Sequence, residues 1–358
     1  MNYTFLIYIS YSYALPIGSP LEQEILKKGY TVKWFSDLEE GSKALKNKSN
    51  VLGSIHDVIN YNPDIILAAT DSVPDFLRGL KVQIFHGFNA EKRSFKKDHF
   101  RIRGLFDLYC TQGPSTTTVF KEIAKKRKHF EVIETGWSKV DSLFPVSLKS
   151  KNNKPTVFIA STFTERLSLA YNNNVYEMIK LLSSKGDYYF EMVLHPKISE
   201  DIVAKWESLS NNYFKYYNTT DLIPLFRRAD VMFADTTSAI QEFGLQQKPI
   251  VTFNHYKPKP YLINITKASE IKTAIQEALT YPETILNELA KFNKDLHPYS
   301  DGHSSERVIN TCINFLHKDK SYLKSKPINL VRKYKIRKRL QYYTLKTYNR
   351  AFTKHREN

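Results

Sequence analysis

Three short stretches of this chain combine residue types that could handle a phosphorylated substrate. The first, Val231 to Val251, reads VMFADTTSAIQEFGLQQKPIV. An apolar run ends in Asp235-Thr236-Thr237-Ser238, a helical segment from Ala239 to Gln247 follows, and a second apolar run begins at Pro249. The polar turn therefore stands at a helix start, where free backbone N–H groups and the helix dipole favour an anion and hydroxyls add donors. Glu242 lies one turn after Ser238, placed to accept from a ribose diol beside the phosphates. The plainer alternative is that Thr and Ser only cap the helix.

The other two stretches are histidines that close apolar runs. Val82-Gln83-Ile84-Phe85 is followed at once by His86-Gly87-Phe88, and Leu194 by His195-Pro196. Glycine permits a tight turn with close backbone approach, and proline fixes the exit. Imidazole suits proton transfer near neutral pH and binds phosphate when charged. A lone histidine is more often structural. Two of them, each at the end of a strand in opposite halves of the chain, point to chemistry. Neither has a second histidine or carboxylate at ligand spacing, which argues against a metal site. Asp301-Gly302-His303-Ser304-Ser305-Glu306-Arg307 forms a further polar turn before an apolar helix. Its serines could serve as N-caps, and Arg307 could reach a phosphate.

These turns need a scaffold that presents strand ends. Candidate strands are Phe5–Ile9, Thr31–Phe35, Ile65–Ala69, Val82–Phe85, Leu108–Thr111 and Val132–Glu134, then Thr156–Ala160, Tyr189–Leu194, Phe214–Tyr216, Val231–Phe233 and Ile250–Phe253. Helical segments alternate with them, such as Asn174–Ser184, Ile202–Leu209 and Ile271–Leu279. A polar, positive stretch between Pro145 and Pro155 separates the two series and reads as a linker. Gly136-Trp137-Ser138-Lys139-Val140-Asp141, just before it, could shape the neighbouring cleft. The expected fold is α/β, with two doubly wound parallel-sheet domains at 1–150 and 151–317 facing a cleft, and a basic tail at 318–358. Ligands of such sheets bind beyond the strand C-termini. No GxGxxG follows the first strand and no GxxxxGK[ST] occurs, which argues against NAD and P-loop chemistry.

At 358 residues and 42% hydrophobic content, each domain can build its own core. Cys110 and Cys312 sit in apolar segments without a CxxC pattern and read as buried free thiols. The first residues, MNYTFLIYISYS, read as a core strand rather than a signal peptide, and no apolar run approaches the roughly 20 residues of a membrane span. A cytoplasmic location is expected. The net charge of +17 is concentrated in the tail: 14 Lys and Arg after His317 against Asp319 and Glu357 give +12, leaving about +5 elsewhere. Cations interleave with Leu, Ile, Tyr and Phe from Leu330 to Phe352, a pattern suited to an amphipathic helix on an anionic membrane. Nucleic acid is the rival partner; a helix docked on the body is the plain alternative. The body, whose strands and helices end at Phe315, is expected to fold without the tail.

Together these motifs resemble the CDP-glycerol glycerophosphotransferase family, the teichoic-acid primases and polymerases and their capsule relatives. The matching elements are His86-Gly87, His195-Pro196, Asp235-Thr236-Thr237-Ser238 with Gln241-Glu242, and Asp301 to Arg307, within roughly Lys81 to Phe315. The chain departs from the family pattern at Phe88-Asn89, where a Thr-Pro pair is usual, at Thr236, which replaces an aromatic, and at Glu242, which replaces Asp. The resemblance implies a GT-B-like transferase. It would move an alditol phosphate from CDP-glycerol or CDP-ribitol to a glycan or polyprenyl-linked acceptor at the inner face of the membrane, releasing CMP. It further implies His86 as base, or as a group orienting the acceptor, with Gly87 and Asn89 beside the acceptor. His195 is implied as the second catalytic residue, stabilising the phosphates with the hydroxyls of Thr237 and Ser238, and Asp235, Thr236, Thr237, Ser238, Glu242 and Arg307 would hold the donor. No cofactor is implied and no metal is required, since protein cations, hydroxyls and a helix N-terminus can supply the electrostatics. Two rivals stand beside this reading: a GT-B-like glycosyltransferase or 2-epimerase acting on a UDP-sugar, and a non-catalytic membrane- or nucleic-acid-binding protein.

Overall fold

The structure, a computed structural model, describes residues 2–88, 99–146 and 153–355. It divides into two compact units, Met1–Asp141 with Leu296–Asn358, and Ser142–Asp295. Each is built on a six-stranded sheet in which every pairing is parallel.

In the first unit the strands are β1 (Thr4–Ile9), β2 (Thr31–Ser36), β3 (Ile65–Ala68), β4 (Leu80–Gln83), β5 (Leu108–Thr111) and β6 (Glu131–Glu134), in the order β2-β1-β3-β4-β5-β6. The central strands β3, β4 and β5 are buried along their whole length, as expected of a parallel sheet covered on both faces. One strand is shifted from its expected place: β4 ends at Gln83, not at Phe85. Lys81, which reads as a surface residue, is drawn into the interior, where its Nζ donates to the carbonyls of Leu77 (2.7 Å) and Gly79 (3.4 Å). Phe85 takes a left-handed conformation (φ 55°) that ends the pairing before His86.

The second unit contains β7 (Thr156–Ser161), β8 (Tyr189–Leu194), β9 (Phe214–Tyr216), β10 (Val231–Ala234), β11 (Ile250–Phe253) and β12 (Ile263–Ile265), ordered β12-β11-β10-β7-β8-β9. The last is a three-residue edge strand, too short to show a pattern in the sequence. Its core joins Val157, Ile159, Phe190, Met192, Val231, Phe233 and Val251 of the sheet to the helix faces of Val175, Ile179 and Ile275.

The division of the chain differs from the expected one. The helix Ser304–His317 belongs to the first unit, packing its buried Val308, Ile309, Cys312, Phe315 and Leu316 there and lying against the helix Leu15–Lys27. Asp141 caps it, accepting from the amides of Ser304 (2.8 Å) and Ser305 (2.7 Å). A chain that returns to its first sheet cannot be foreseen from order alone. Cys110 and Cys312 are both free and buried, and burial together with the neighbouring Cys110 pushes the Cys312 thiol up.

The tail also differs. Its helix covers only Leu330–Leu340 and ends at Gln341, which is left-handed (φ 49°). Residues expected to continue the helix instead form a strap. Arg337 draws it in by donating to the carbonyls of Thr344 (2.8 Å) and Lys346 (2.9 Å), and Tyr348 N donates to Asp75 O (2.9 Å). Ile336 enters the core of the first unit. Arg337 and Lys333 pair with buried Asp75, Lys326 with buried Asp107, Arg339 with Asp37 and Lys354 with Asp64. The carboxylates lie far upstream, so five of the 14 cations in a segment that reads as a free basic tail belong to these internal ion pairs. Ending the chain before this segment would leave buried Asp75 and Asp107 without their cations, a cost that the expectation of a body folding without it did not count.

Candidate active site

In the first unit His86 lies three residues beyond β4, exposed, in the bend after Phe85. Its Nδ1 is 3.1 Å from the carbonyl of Ala69, just past the end of β3. A carbonyl can only accept, so Nδ1 carries the proton and the neutral ring presents the lone pair of Nε2. Tyr13 packs on the ring with centroids 5.4 Å apart, and Tyr11 stacks on Tyr13 at 5.4 Å. Neither tyrosine is marked by any motif. Gly87 has open space where a Cβ would stand, and its carbonyl accepts from Gln112 Nε2 at 2.9 Å. Asn89 lies outside the described residues.

His99, which sequence reasoning passed over, stacks on Phe85 (5.1 Å, 23°). Burial, helped by the nearby His86, lowers its pKa to about 4, so it is neutral at physiological pH.

In the second unit His195 follows β8 directly and is half-buried against Phe163, centroids 4.6 Å apart. Here the amide of Lys197 donates to Nδ1 at 3.1 Å. The neutral ring therefore carries its proton on Nε2 and offers a donor, the arrangement a phosphate oxygen needs.

The turn after β10 splits into anchors and accessible groups. Asp235 is fully buried and accepts from Ser161 Oγ (2.5 Å), Thr162 N (2.9 Å) and Leu169 N (2.9 Å). It binds the loop after β7 to the end of β10. Thr236 is buried too, and its hydroxyl accepts from Tyr256 N at 2.9 Å. Thr237 is half-buried and Ser238 exposed, at the start of a helix Ala239–Gly244 that is shorter than expected. Thr237 Oγ1 accepts from Ala239 N at 3.4 Å. Glu242, one turn along, is 7% exposed.

Arg307 belongs to the first unit, forks onto Asp301 (2.7 and 3.0 Å), donates to Thr135 O (2.9 Å) and Ser304 Oγ (3.2 Å), and lies over the Tyr299 ring at 4.1 Å. The hydrogen bond from Arg307 holds the Asp301 carboxyl down at about 2. Inside its own unit Arg307 thus forms a clamp between Asp301 and the carbonyl after β6. Gly136, left-handed at φ 79°, permits this packing, since a Cβ there would come within 2.4 Å of Ser304 Oγ.

Among the described residues no group of three His, Cys, Asp or Glu is arranged to hold a metal ion. No helix among them is long and apolar enough to cross a membrane.

Residues 86–314 match the CDP-Glycerol:Poly(glycerophosphate) glycerophosphotransferase family. The chain belongs to that family. The teichoic acid glycerol-phosphate primase of Bacillus subtilis (strain 168) is 28% identical over 142 residues, 37% of this chain and 36% of the primase, so the match spans about a third of that relative's length. Among solved structures, the wall teichoic acid polymerase TagF aligns with TM-score 0.59 at 13% identity, covering 87% of this chain and 88% of that one. S. aureus MnaA with UDP aligns at 0.59 and 14%, covering 91% and 99%. UDP-GlcNAc 2-epimerase from Neisseria meningitidis, bound to UDP-GlcNAc, aligns at 0.58 and 14%, covering 87% and 100%. At such identities these likenesses speak for the fold, two GT-B-like α/β units, which is the family's architecture here.

Proposed function

We propose that this protein transfers glycerol phosphate from CDP-glycerol to a hydroxyl of a poly(glycerophosphate) or lipid-linked glycan acceptor, releasing CMP. Family membership supports the donor and acceptor classes. The observation that carries the mechanism is the opposite tautomers of the two histidines, one with an open Nε2 lone pair and one with an Nε2–H. His86 Nε2 takes the proton of the acceptor hydroxyl as its oxygen attacks the phosphorus bearing the glycerol. The bond from that phosphorus to the bridging oxygen breaks, and CMP leaves with the electron pair. His195 Nε2–H and the hydroxyls of Thr237 and Ser238 donate to the pyrophosphate oxygens as charge builds there. Asp235 and Thr236 hold that turn in place, and Glu242 supports the ribose side. Incubation with a panel of CDP- and UDP-linked donors tests the assignment: CMP release from CDP-glycerol is expected. UDP release from a UDP-sugar would overturn it in favour of the glycosyltransferase or epimerase chemistry. CDP-ribitol in the same panel decides the alditol.

Peripheral attachment to an anionic membrane is part of the same proposal, in altered form. The docked helix turns Lys333, Ile336 and Leu340 inward, while Leu330, Val331 and Tyr334 stand exposed beside Lys335 and Lys338. Apolar side chains flanked by lysines on a fixed surface helix suit an in-plane membrane contact. The face is carried by the folded unit, not by a free tail.

A further inference from the structure

Beside His86 the first unit gathers more cationic charge than its carboxylates balance. Arg103 pairs with Asp71 at 2.7 Å, and Asp71 stands two residues after Ala69, whose carbonyl holds His86. A small cavity is lined by Asp71, Gln83, His99, Arg101 and Arg103. A third arginine arrives from the C-terminal helix. Asn329 Nδ2 donates to the Arg103 carbonyl at 2.7 Å, and Pro327 packs where a Gly104 side chain would stand. These contacts pin the start of the helix Leu330–Leu340 and set Arg332 next to the pair. Burial and then the charges of Arg103 and Arg101 hold the Arg332 guanidinium below its ordinary range, with Asp71 alone opposing. Arg103 Nε, Arg332 Nε and His99 Nε2 are buried without a hydrogen-bond partner among the described residues. Arg101 is exposed and Arg103 and Arg332 are half-buried, and among the described residues these three guanidiniums stand near one carboxylate, Asp71. The buried Nε groups of Arg103 and Arg332 have no acceptor among the described residues, and an anion at the accessible side of the cluster would offset its charge.

We propose that Arg101, Arg103 and Arg332 bind a phosphodiester of the acceptor chain, one glycerol unit from the hydroxyl that His86 deprotonates. The proposal rests on reading His86 as the base of the transferase. Guanidinium forks match the paired oxygens of a phosphodiester and make stronger bonds than neutral donors. A neutral His99 adds shape and no charge. Such a site distinguishes an acceptor that already carries glycerol phosphate from a bare glycan hydroxyl, and so favours chain extension over the first addition. The C-terminal helix thereby acquires a second role, because Arg332 completes the site only while that helix is docked.

The test uses the full-length protein and glycerophosphoglycerol, a soluble diester, as probe. Calorimetry without donor is compared for wild type, Arg101→Gln/Arg332→Gln, Arg332→Lys and the distant charge control Lys121→Gln. Arg103 is left intact, because its pair with Asp71 shapes the loop. The double variant is expected to lose at least about tenfold in diester affinity, with unchanged thermal melting, and Arg332→Lys to recover part of it. In the CMP-release assay the acceptor KM should rise by a similar factor while kcat and the CDP-glycerol KM stay within about twofold of wild type. Equal diester binding by wild type and double variant would overturn the proposal, as would a rise in the donor KM instead. Loss of sedimentation with phosphatidylglycerol vesicles and no change toward the soluble diester would assign the arginines to a lipid headgroup, and overturn it too. If CDP-glycerol is not turned over, the proposed function fails, while the calorimetry still decides whether the arginines bind the diester.

Discussion

The Nδ1 of His86 lies 3.1 Å from the carbonyl oxygen of Ala69, a contact that fixes which nitrogen of the ring can take a proton. His195 has the reverse arrangement, its Nδ1 accepting from Lys197 N at 3.1 Å. Two histidines after strands thus favour different neutral tautomers because the backbone beside one offers an acceptor and beside the other a donor. His86→Ala is expected to lower kcat by at least ~100-fold with little change in CDP binding. His86→Gln, which keeps hydrogen bonding but cannot take a proton, should be as poor. Wild-type turnover in either would make the ring structural.

His195→Ala, Thr237→Ala and Ser238→Ala should act on the donor. Each lost charge-assisted hydrogen bond is expected to cost about 1.5–3 kcal/mol of pyrophosphate interaction. Calorimetry with CDP, next to rates with CDP-glycerol, reads this directly. Unchanged affinity and rate in the Thr237/Ser238 double variant would remove the turn from the donor site.

Asp235→Ala should behave differently from its neighbours. It leaves Ser161 Oγ and the amides of Thr162 and Leu169 without their acceptor, at about 1–3 kcal/mol for each unsatisfied group. Thermal unfolding should show a clear loss of stability, where Ser238→Ala shows none. A fully stable but inactive Asp235→Ala protein would mean that this carboxylate meets the substrate after all.

Arg337→Ala combined with Lys333→Ala leaves buried Asp75 without its cations. Breaking a buried pair in this way is expected to cost about 3–5 kcal/mol, measured by urea unfolding. Leu330→Glu/Val331→Glu, on the outer face of the same helix, should leave that stability intact and release the protein from anionic vesicles. Vesicle binding as strong as wild type would place the membrane contact elsewhere.

Lys81 sets a pH dependence. Burial, and next the charge of Lys326, bring it from an ordinary 10.5 down to about 7. Between those values the unfolded chain binds a proton at this side chain that the folded protein does not. Its contribution to stability therefore rises with pH across that window and is flat below it. Urea midpoints from pH 7 to 10 should show the rise, and Lys81→Met should reduce it, leaving the share of Lys248 and Lys320, which burial brings down to about 8. An identical slope in the variant would mean that another group is responsible.

The sequence by itself determined eleven strand positions, because parallel strands buried on both faces are apolar runs, and each of the eleven expected runs overlaps a strand of the two sheets, with β4 lying two residues earlier than expected. It also marked His86, His195 and the turn at Asp235–Ser238, since these sit within or next to such runs and local order is enough to place them. What it could not determine is where distant charges meet. Asp75, Asp107, Asp37 and Asp64 look like surface acids, and the tail like a free polycation, until the fold brings them together. The same holds for Arg307, whose partners Asp301 and Thr135 belong to the first unit, and for Arg332 beside Arg103. Side-chain pairing across the chain depends on tertiary path, and a charge carries no periodicity that would announce its partner. Which nitrogen of each histidine is protonated is decided at the same level, by a backbone group 17 residues before His86 and by one two residues after His195.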